Sequence, residues 1–178
     1  MTGSYRGTTT AEIARGAGVS EPILYRHFDS KRELYLACLD AAWSRVKRLW
    51  ESAVASEPDS GAWLAAMGRA YLDARDRRTM LVELWVHALT EAGDDPVMRR
   101  ALRNHLREVH SFVEGVIERA QVQGGYLRER DARSEAWTWI SFGLIGMLSR
   151  RLPGLVDDAL AGIFAARREW MTGRKPPA

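Results

Sequence analysis

The sequence predicts an all-α protein, with a small helix-turn-helix head at the N-terminus and a larger helical bundle behind it. Apolar residues recur at helical spacing along nearly the whole chain, and no stretch shows sustained alternation with β-branched residues. Groups of glycine, proline, aspartate and serine interrupt this pattern often enough to define about eight helices. A chain of 178 residues can form one good core, or a small module attached to a larger one.

The first predicted helix begins at Thr9-Thr10-Ala11-Glu12, which has the spacing of a capping box. In that motif a threonine side chain accepts a hydrogen bond from an orphan backbone amide, and the glutamate reciprocates. Gly18 ends the helix, because glycine readily adopts the left-handed conformation that a tight turn requires. The inner face of this helix consists of Ile13, Ala14 and Ala17.

The second predicted helix runs from Ser20 to Phe28. Ser20 can cap it, and Pro22 is tolerated because first-turn amides have no acceptor within a helix. Leu24 and Phe28 lie four residues apart and therefore face the first helix together. Two short helices joined by a glycine-containing turn form a helix-turn-helix, whose second helix lies in the major groove of DNA.

The leading edge of the second helix carries side chains suited to double-stranded DNA. Glu21 can accept a hydrogen bond from cytosine, and Arg26 can pair with guanine. Pro22 or Ile23 can contact a thymine methyl group. Hydroxyl and ammonium groups at the flanks can contact phosphate and fix the register. The predicted DNA-binding residues are Thr9, Thr10, Ser20, Glu21, Pro22, Ile23, Tyr25, Arg26, His27 and Lys31.

A second capping box, Ser30-Lys31-Arg32-Glu33, begins a long helix that extends to about Ser56. This helix links a predicted head of residues 1–37 to a predicted bundle of residues 38–172, with residues 173–178 as a disordered tail. Its apolar stripe predicts that Cys38, the single cysteine, is a buried small hydrophobe. The stripe consists of Leu34, Cys38, Leu39, Ala42, Val46, Leu49, Trp50 and Ala53.

Further apolar stripes predict the remaining helices of the bundle, at about residues 63–71, 80–88, 98–117, 136–151 and 156–164. The helix around 136–151 is apolar almost all round, which indicates burial on more than one side. Because so small a protein has little interior for it, we expect a symmetric dimer interface there. The predicted interface residues are Trp139, Phe142, Ile145, Leu148, Leu160 and Phe164.

The bundle also carries most of the seven tryptophans of the chain. Aromatic stripes usually form core, and each of these residues has that interpretation. Together they could instead line a large pocket for an apolar or aromatic effector. His105 and His110 border an apolar stripe, and we expect them to be hydrogen-bonded core or pocket histidines. The predicted pocket residues are Trp63, Met67, Tyr71, Trp85, His87, His110 and Trp137.

Two polar groups in the bundle have a simpler interpretation than a binding site. Glu83, His87 and Glu91 share a helix face, but no further histidine or cysteine lies close enough in sequence to complete a metal site. We therefore expect no metal and no cofactor. A charged surface, which we interpret as solvated and paired with neighbouring acids, is formed by Arg99, Arg100, Arg103 and Arg107.

Composition and motifs argue against an enzyme and against a membrane protein. The formal net charge of +3 and the pI of about 9.3 favour a polyanionic partner only slightly. The sequence contains no phosphate-binding loop, dinucleotide fingerprint, nucleophile elbow or metalloprotease helix. The longest uncharged run, from Ala136 to Ser149, is about six residues shorter than the roughly 20 that span a bilayer. We therefore expect a cytoplasmic protein with no membrane partner.

The N-terminal part of the chain resembles the DNA-binding signature of the TetR/AcrR family of transcriptional regulators. The resemblance lies in residues 8–14, 17–20, 24–28 and 30–34. It implies a dimeric repressor that binds a palindromic operator and whose C-terminal domain binds a small molecule, which changes the spacing of the two DNA-binding heads. It also implies phosphate contacts from Thr10, Tyr25, His27 and Lys31.

The start of the sequence departs from that family pattern. Family members have a full helix before the helix-turn-helix, whereas only residues 1–7 precede Thr8 here. We therefore expect that a first helix is missing and that DNA binding is weakened. The alternative function is a helical ligand-binding or protein-interaction module that has lost DNA binding. Base-contacting positions vary within the family, so no operator sequence is predicted.

Overall fold

The computed structural model of the chain describes residues 20–75, 81–91 and 95–174, and all regular structure in those residues is helical. This confirms the all-α class. The first predicted helix, with Thr9 and Thr10, lies outside the described residues. The described elements are α1 (Glu21–His27), α2 (Lys31–Ser56), a 3₁₀ turn (Ser60–Ala62), α3 (Trp63–Arg75), α4 (Leu81–Glu91), α5 (Pro96–Val122), α6 (Ala132–Arg151) and α7 (Asp157–Thr172).

The capping box predicted at Ser30 forms at the start of α2. The Ser30 hydroxyl accepts a hydrogen bond from the Glu33 amide at 3.1 Å. The Glu33 carboxylate accepts one at 2.6 Å from the amide of Asp29, one residue before the cap. Two backbone amides, one of them an orphan donor of α2, are therefore satisfied by neighbouring side chains, and α2 begins at a defined residue.

Aspartate caps begin the bundle helices α5 and α6. Asp95 accepts hydrogen bonds from the amides of Val97 at 2.9 Å and Met98 at 3.1 Å, and Pro96 occupies the first helical position of α5. Asp131 accepts a hydrogen bond from the Ser134 amide at 2.9 Å and so caps α6. Local side-chain chemistry therefore fixes where both long helices of the bundle begin.

The core lies where α2 meets the bundle helices. A row of buried side chains on α2 packs against α3, α4 and α5, and α5 packs in turn against α6. Cys38 is exposed, so the prediction that it is buried is wrong. The buried row of α2 consists of Leu34, Leu39, Trp43, Val46 and Trp50. Cys38 lies outside this row and therefore faces solvent.

The C-terminal helix α7 is attached to the rest of the chain near its end. The Leu127 amide donates a hydrogen bond to the Met171 carbonyl at 2.8 Å. The Arg130 guanidinium lies 3.5 Å from the ring centroid of Trp170, and the Trp170 indole donates a hydrogen bond to Glu135 at 3.1 Å. Gly173, in the predicted tail, ends α7 in the left-handed conformation with φ +66°.

Gly125 lies against the 3₁₀ turn at the same end of the bundle. A Cβ atom on Gly125 would be 2.5 Å from the amide nitrogen of Gly61 and 2.5 Å from the carbonyl carbon of Ser60. Both contacts are with backbone, which cannot move aside as a flexible side chain can. Only glycine allows the loop after α5 to approach the turn this closely.

We predict that Gly125→Ala lowers the free energy of unfolding by about 1–3 kcal/mol, because backbone must shift to admit the methyl group. The matched control is Gly68→Ala within α3, where a Cβ meets nothing within 4 Å. That variant should be more stable by about 0.5–1 kcal/mol, because alanine favours a helix interior. Thermal unfolding at one protein concentration compares the three proteins. Equal stability of Gly125→Ala and wild type would contradict the close approach.

Candidate DNA-binding helix and effector site

Helix α1 presents its leading edge to solvent. The Ile23 amide donates a hydrogen bond to the Ser20 carbonyl at 3.0 Å, which forms the first turn. Ile23 is 40% exposed and Tyr25 is 51% exposed, although both side chains are largely apolar. Ser20, Pro22, Arg26 and His27 are also exposed, and Glu21 is partly exposed. The segment is therefore a short exposed helix, as a DNA-contacting helix must be.

Among the predicted flanking residues that the structure describes, Lys31 lies just after this helix. Lys31 is partly buried in the first turn of α2, and Phe28 is partly buried between α1 and α2. Thr9 and Thr10 lie outside the described residues. The described DNA-binding candidates thus occupy one continuous segment, residues 20–31.

Two contacts join the head-proximal end of α2 to the bundle. Arg32 donates a hydrogen bond to the Asp95 carboxylate at 3.1 Å, and Asp95 caps α5. Hydrogen bonds from the Met98 amide and then from Arg32 hold the pKa of Asp95 below its ordinary value. One turn further along α2, the Tyr35 hydroxyl donates to the Leu84 carbonyl of α4 at 2.7 Å. The residues just after α1 are therefore tied to both α4 and α5.

The bundle interior contains a chain of aromatic rings centred on α2. Ring centroids of Trp43 and Trp50 are 5.7 Å apart, and those of Trp50 and Trp139 are 5.0 Å apart. His105 lies between Trp43 at 6.4 Å and Trp85 at 6.0 Å, and both contacts are edge-to-face. These contacts make one aromatic cluster, which consists of Trp43, Trp50, Trp85, His105, Phe112 and Trp139.

Several polar atoms of the aromatic cluster are buried without a hydrogen-bond partner. They are the indole nitrogens of Trp43, Trp50 and Trp85 and both ring nitrogens of His105. The His105 Nδ1 atom lies 3.8 Å from the Asp40 carboxylate, too far for a hydrogen bond. The expectation that His105 is hydrogen-bonded is therefore wrong. Unsatisfied buried polar groups of this kind cost roughly 1–3 kcal/mol each.

The structure divides the predicted pocket residues into two groups. Trp85 belongs to the aromatic cluster, and Tyr71 adjoins it, with its ring centroid 6.4 Å from that of Trp50. Trp63 and Met67 are buried in the core, and the Trp63 indole donates to the Glu57 carbonyl at 3.0 Å. Outside this group, His110 stacks on Trp137 with ring centroids 4.4 Å apart. The His87 side chain lies outside the described residues.

A groove of about 370 Å³ opens on the outer side of α5. Among the predicted pocket residues whose side chains are described, Trp137 lines it. The groove was not predicted from sequence, because its arginines were interpreted as a solvated surface. Its lining residues are Leu89, Arg99, Leu102, Arg103, Leu106, Arg107 and Trp137.

The predicted dimer-interface residues also differ in orientation. Leu148 and Phe164 are 43% and 45% exposed, and Phe142 contacts Phe164 with centroids 5.4 Å apart. Ile145 and Leu160 are partly buried. Trp139 packs inward against Trp50 within the same chain and does not contribute to the exposed face. Further exposed apolar side chains on or next to α6 and α7 are Leu144, Leu152, Leu155 and Trp170.

Metal and membrane sites are not found in the described part of the chain. Among residues 20–75, 81–91 and 95–174, no three histidine, cysteine or acidic side chains are grouped as metal ligands. The side chains of Glu83, His87 and Glu91 lie outside the described set. None of the described helices combines the length and apolar character that a membrane span needs.

Two family models match the sequence. The model for bacterial regulatory proteins of the tetR family matches residues 2–38, which include α1 and the start of α2. The model for the C-terminal domain of BetI-type transcriptional repressors matches residues 60–142. Between them, the two models match about two thirds of the chain, including the DNA-binding candidates and much of the bundle.

Known proteins resemble the chain in part or over most of its length. The HTH-type transcriptional activator FasR of Mycolicibacterium smegmatis is 39% identical over 69 residues, which cover 39% of this chain and 32% of FasR. The chain therefore matches only about a third of that relative. A TetR-family regulator from Agrobacterium tumefaciens has a TM-score of 0.77 at 22% identity, with 96% of this chain and 90% of that chain covered.

A second solved structure, AibR in complex with isovaleryl coenzyme A and operator DNA, has a TM-score of 0.63 at 19% identity. The similarity covers 94% of this chain and 89% of AibR. At these identities the two structures show a fold shared over most of the chain.

We predict that His105 makes the stability of the bundle depend on pH. Burial lowers the pKa of His105 below its ordinary value, although Asp40 and Glu108 act in the opposite direction. Below about pH 6.5 the unfolded chain binds a proton that the folded chain does not, so stability falls as pH decreases through this range.

His105→Phe should remove this contribution, because phenylalanine retains a ring between Trp43 and Trp85 without titrating. The melting temperatures of both proteins should be measured from pH 8 to pH 5, and both are expected to fold at pH 8. The variant should lose less stability toward pH 5 than the wild type. Parallel curves for the two proteins would show that His105 is not the source.

Proposed function

The chain belongs to the TetR family of bacterial regulatory proteins, and on that premise we propose that it acts as a homodimeric, ligand-responsive repressor of a palindromic operator. The observation that carries this proposal is the exposed leading edge of α1, from Ser20 to His27. The match to the C-terminal domain of a repressor supports the direction of regulation. Such a regulator needs no catalytic activity and acts in the cytoplasm, where it meets DNA.

The proposed DNA contacts divide into two kinds. Arg26 and Glu21 contact base edges, and Ile23 supplies an apolar surface for a thymine methyl group. Tyr25, His27 and Lys31 contact phosphates and set the register, together with Thr9 and Thr10. The exposure of Ile23 and Tyr25 supports DNA contact at this edge, because a partner that covers them would remove apolar surface from water.

The proposed dimer forms through α6 and α7. Their exposed apolar residues, Leu144, Leu148 and Phe164 among them, form a surface that a second copy can cover. A two-fold axis through this surface would relate two α1 helices, as the two half-sites of a palindrome require. The structural relative AibR binds both isovaleryl coenzyme A and operator DNA. Its complex therefore supports the proposal that this chain binds a ligand as well as DNA.

The effector acts on DNA affinity through the contacts at the start of α2. A ligand among the aromatic residues of the bundle, with Trp63, Met67, Tyr71, Trp85, His87, His110 and Trp137 as proposed pocket residues, changes how α4 and α5 pack. Arg32 and Tyr35 connect those helices to the segment next to α1. The effector lowers DNA affinity only by its preference for one head spacing, a coupling of typically about 1–3 kcal/mol.

We predict different effects for a base-contacting and a phosphate-contacting variant. Arg26→Ala should weaken the operator complex about 5- to 150-fold and relax specificity at one or two base pairs. Lys31→Ala should weaken binding to all DNA about equally and lower the salt dependence by about one phosphate contact. Fluorescence anisotropy with DNA from upstream of the gene, at several salt concentrations, measures both quantities.

The matched control for both variants is Arg48→Ala, because Arg48 is an exposed cation farther along α2. It should leave DNA affinity unchanged within about twofold. Equal losses on every sequence from Arg26→Ala and Lys31→Ala would contradict the two roles. A folded chain that binds no DNA at low salt would instead support the helical module that has lost DNA binding.

We predict that Leu148→Glu combined with Phe164→Glu converts the dimer to a monomer, because four carboxylates would be buried at the two-fold interface. Light scattering after size exclusion measures the mass, and operator affinity should fall at least 100-fold because two half-sites are no longer linked. Val122→Glu is the control, since Val122 is 76% exposed at the end of α5. An unchanged mass for the double variant would place the interface elsewhere.

A further inference from the structure

The groove on the outer side of α5 combines a cationic rim with an apolar floor. Arg99, Arg103 and Arg107 recur every four residues along α5 and form one row. Leu102 and Leu106 form a parallel row beside them. The opposite side of the groove consists of Leu89 from α4 and Trp137 from α6.

The cations on this rim are available for a ligand. Within the described residues, Arg103 and Arg107 make no ion pair with a carboxylate, and both side chains are exposed. Arg99 already makes another interaction and is not needed. A guanidinium can form two parallel hydrogen bonds with a carboxylate or phosphate, which favours an anionic group here.

The apolar wall of the groove is exposed, and its Trp137 ring is held in place. Leu89 is 55% exposed and Trp137 is 45% exposed. The Trp137 ring stacks on His110 with an interplanar angle of 28°, and the His110 Nε2 atom lies 2.8 Å from the Arg133 carbonyl oxygen. An apolar ligand would therefore meet a preformed surface and would cost little ordering of the Trp137 side chain.

We propose that this groove binds an amphiphile with an anionic head, which pairs with Arg103 and Arg107, and an apolar chain, which lies over Leu102, Leu106 and Trp137. A second copy of the chain fits less well, because a symmetric contact would bring the same arginines together. Inorganic phosphate or a nucleic acid backbone would use the rim and leave the apolar surface exposed. The volume of about 370 Å³ suits a small molecule.

An amphiphile bound in this groove can also change the affinity for DNA. This part of the inference rests on the proposed function. The groove is lined by α4, α5 and α6, and two of these helices are joined to the start of α2 by Leu84 and Asp95. A ligand that changes the spacing of α4 and α5 therefore acts on the segment next to α1. Binding and regulation can be measured separately.

Binding is tested on the full chain without DNA, by calorimetry with sodium decanoate below its micelle concentration. Decanol tests the need for the anionic head, and sodium butyrate tests the need for the apolar chain. Decanoate should bind at least tenfold more tightly than either. If butyrate binds as tightly as decanoate, the groove is only an anion site. If decanol binds as tightly as decanoate, the arginines have no role. Either result would overturn the proposal.

The groove is located by matched variants. Arg103→Gln combined with Arg107→Gln should weaken decanoate at least tenfold. Arg100→Gln combined with Arg119→Gln has the same net charge and alters exposed arginines of α5 outside the groove, so it should change affinity less than twofold. Leu89→Ser should weaken decanoate and leave butyrate unchanged. Melting temperatures confirm that each variant is folded, and equal losses from the two double variants would overturn the site.

Regulation is tested by repeating the DNA titration with and without decanoate. Operator affinity should change at least fivefold for wild type and less than twofold for the variant with Arg103→Gln and Arg107→Gln. If decanoate binds and operator affinity does not change, the regulatory part is wrong while the binding site stands. If the chain binds no DNA under any condition, the proposed function fails. The calorimetry still shows whether the groove binds decanoate.

Discussion

The continuity of α2 is the constraint on which the other features depend. This helix begins at a side-chain cap three residues after α1 ends and runs for 26 residues into the bundle core. Its inward row, which includes Trp43, Val46 and Trp50, is buried against α3, α4 and α5. Burial of these side chains holds the axis of α2 relative to the bundle. The position of α1 follows from that axis, because only residues 28–30 separate the two helices.

The same inward row produces an unusual core. Three indole nitrogens and both nitrogens of His105 are buried without hydrogen bonds, which opposes folding. The edge-to-face geometry of Trp43, His105 and Trp85 offsets part of this unfavourable free energy, because the positive edge of one ring meets the negative face of another. Tight α2 packing and a neutral histidine therefore depend on each other. This core is held by ring geometry and area burial more than by hydrogen bonds.

Local features of the fold could be predicted from sequence, and features that depend on helix rotation could not. The cap at Ser30 and the exposed edge of α1 depend on residues within one or two turns of each other, so their pattern is present in the sequence. Cys38 shows the limit, because helical spacing predicts a stripe but not its absolute orientation. The contacts of Trp43 and Trp50 with other helices decide that orientation. The groove forms only where α4, α5 and α6 meet, so the pattern on α5 alone predicts no more than a solvated row of arginines.

The contacts between head and bundle differ in strength in a way that suits a regulator. The Arg32 and Asp95 side chains are 41% and 31% exposed, and an ion pair in such a position contributes little stability. It can be broken or remade at small cost when α5 moves. The buried tryptophans of α2 cannot shift so easily, because they would open voids in a close-packed core. A change in α4 or α5 is therefore expected to tilt the first turns of α2, with α1 attached, while the core stays intact.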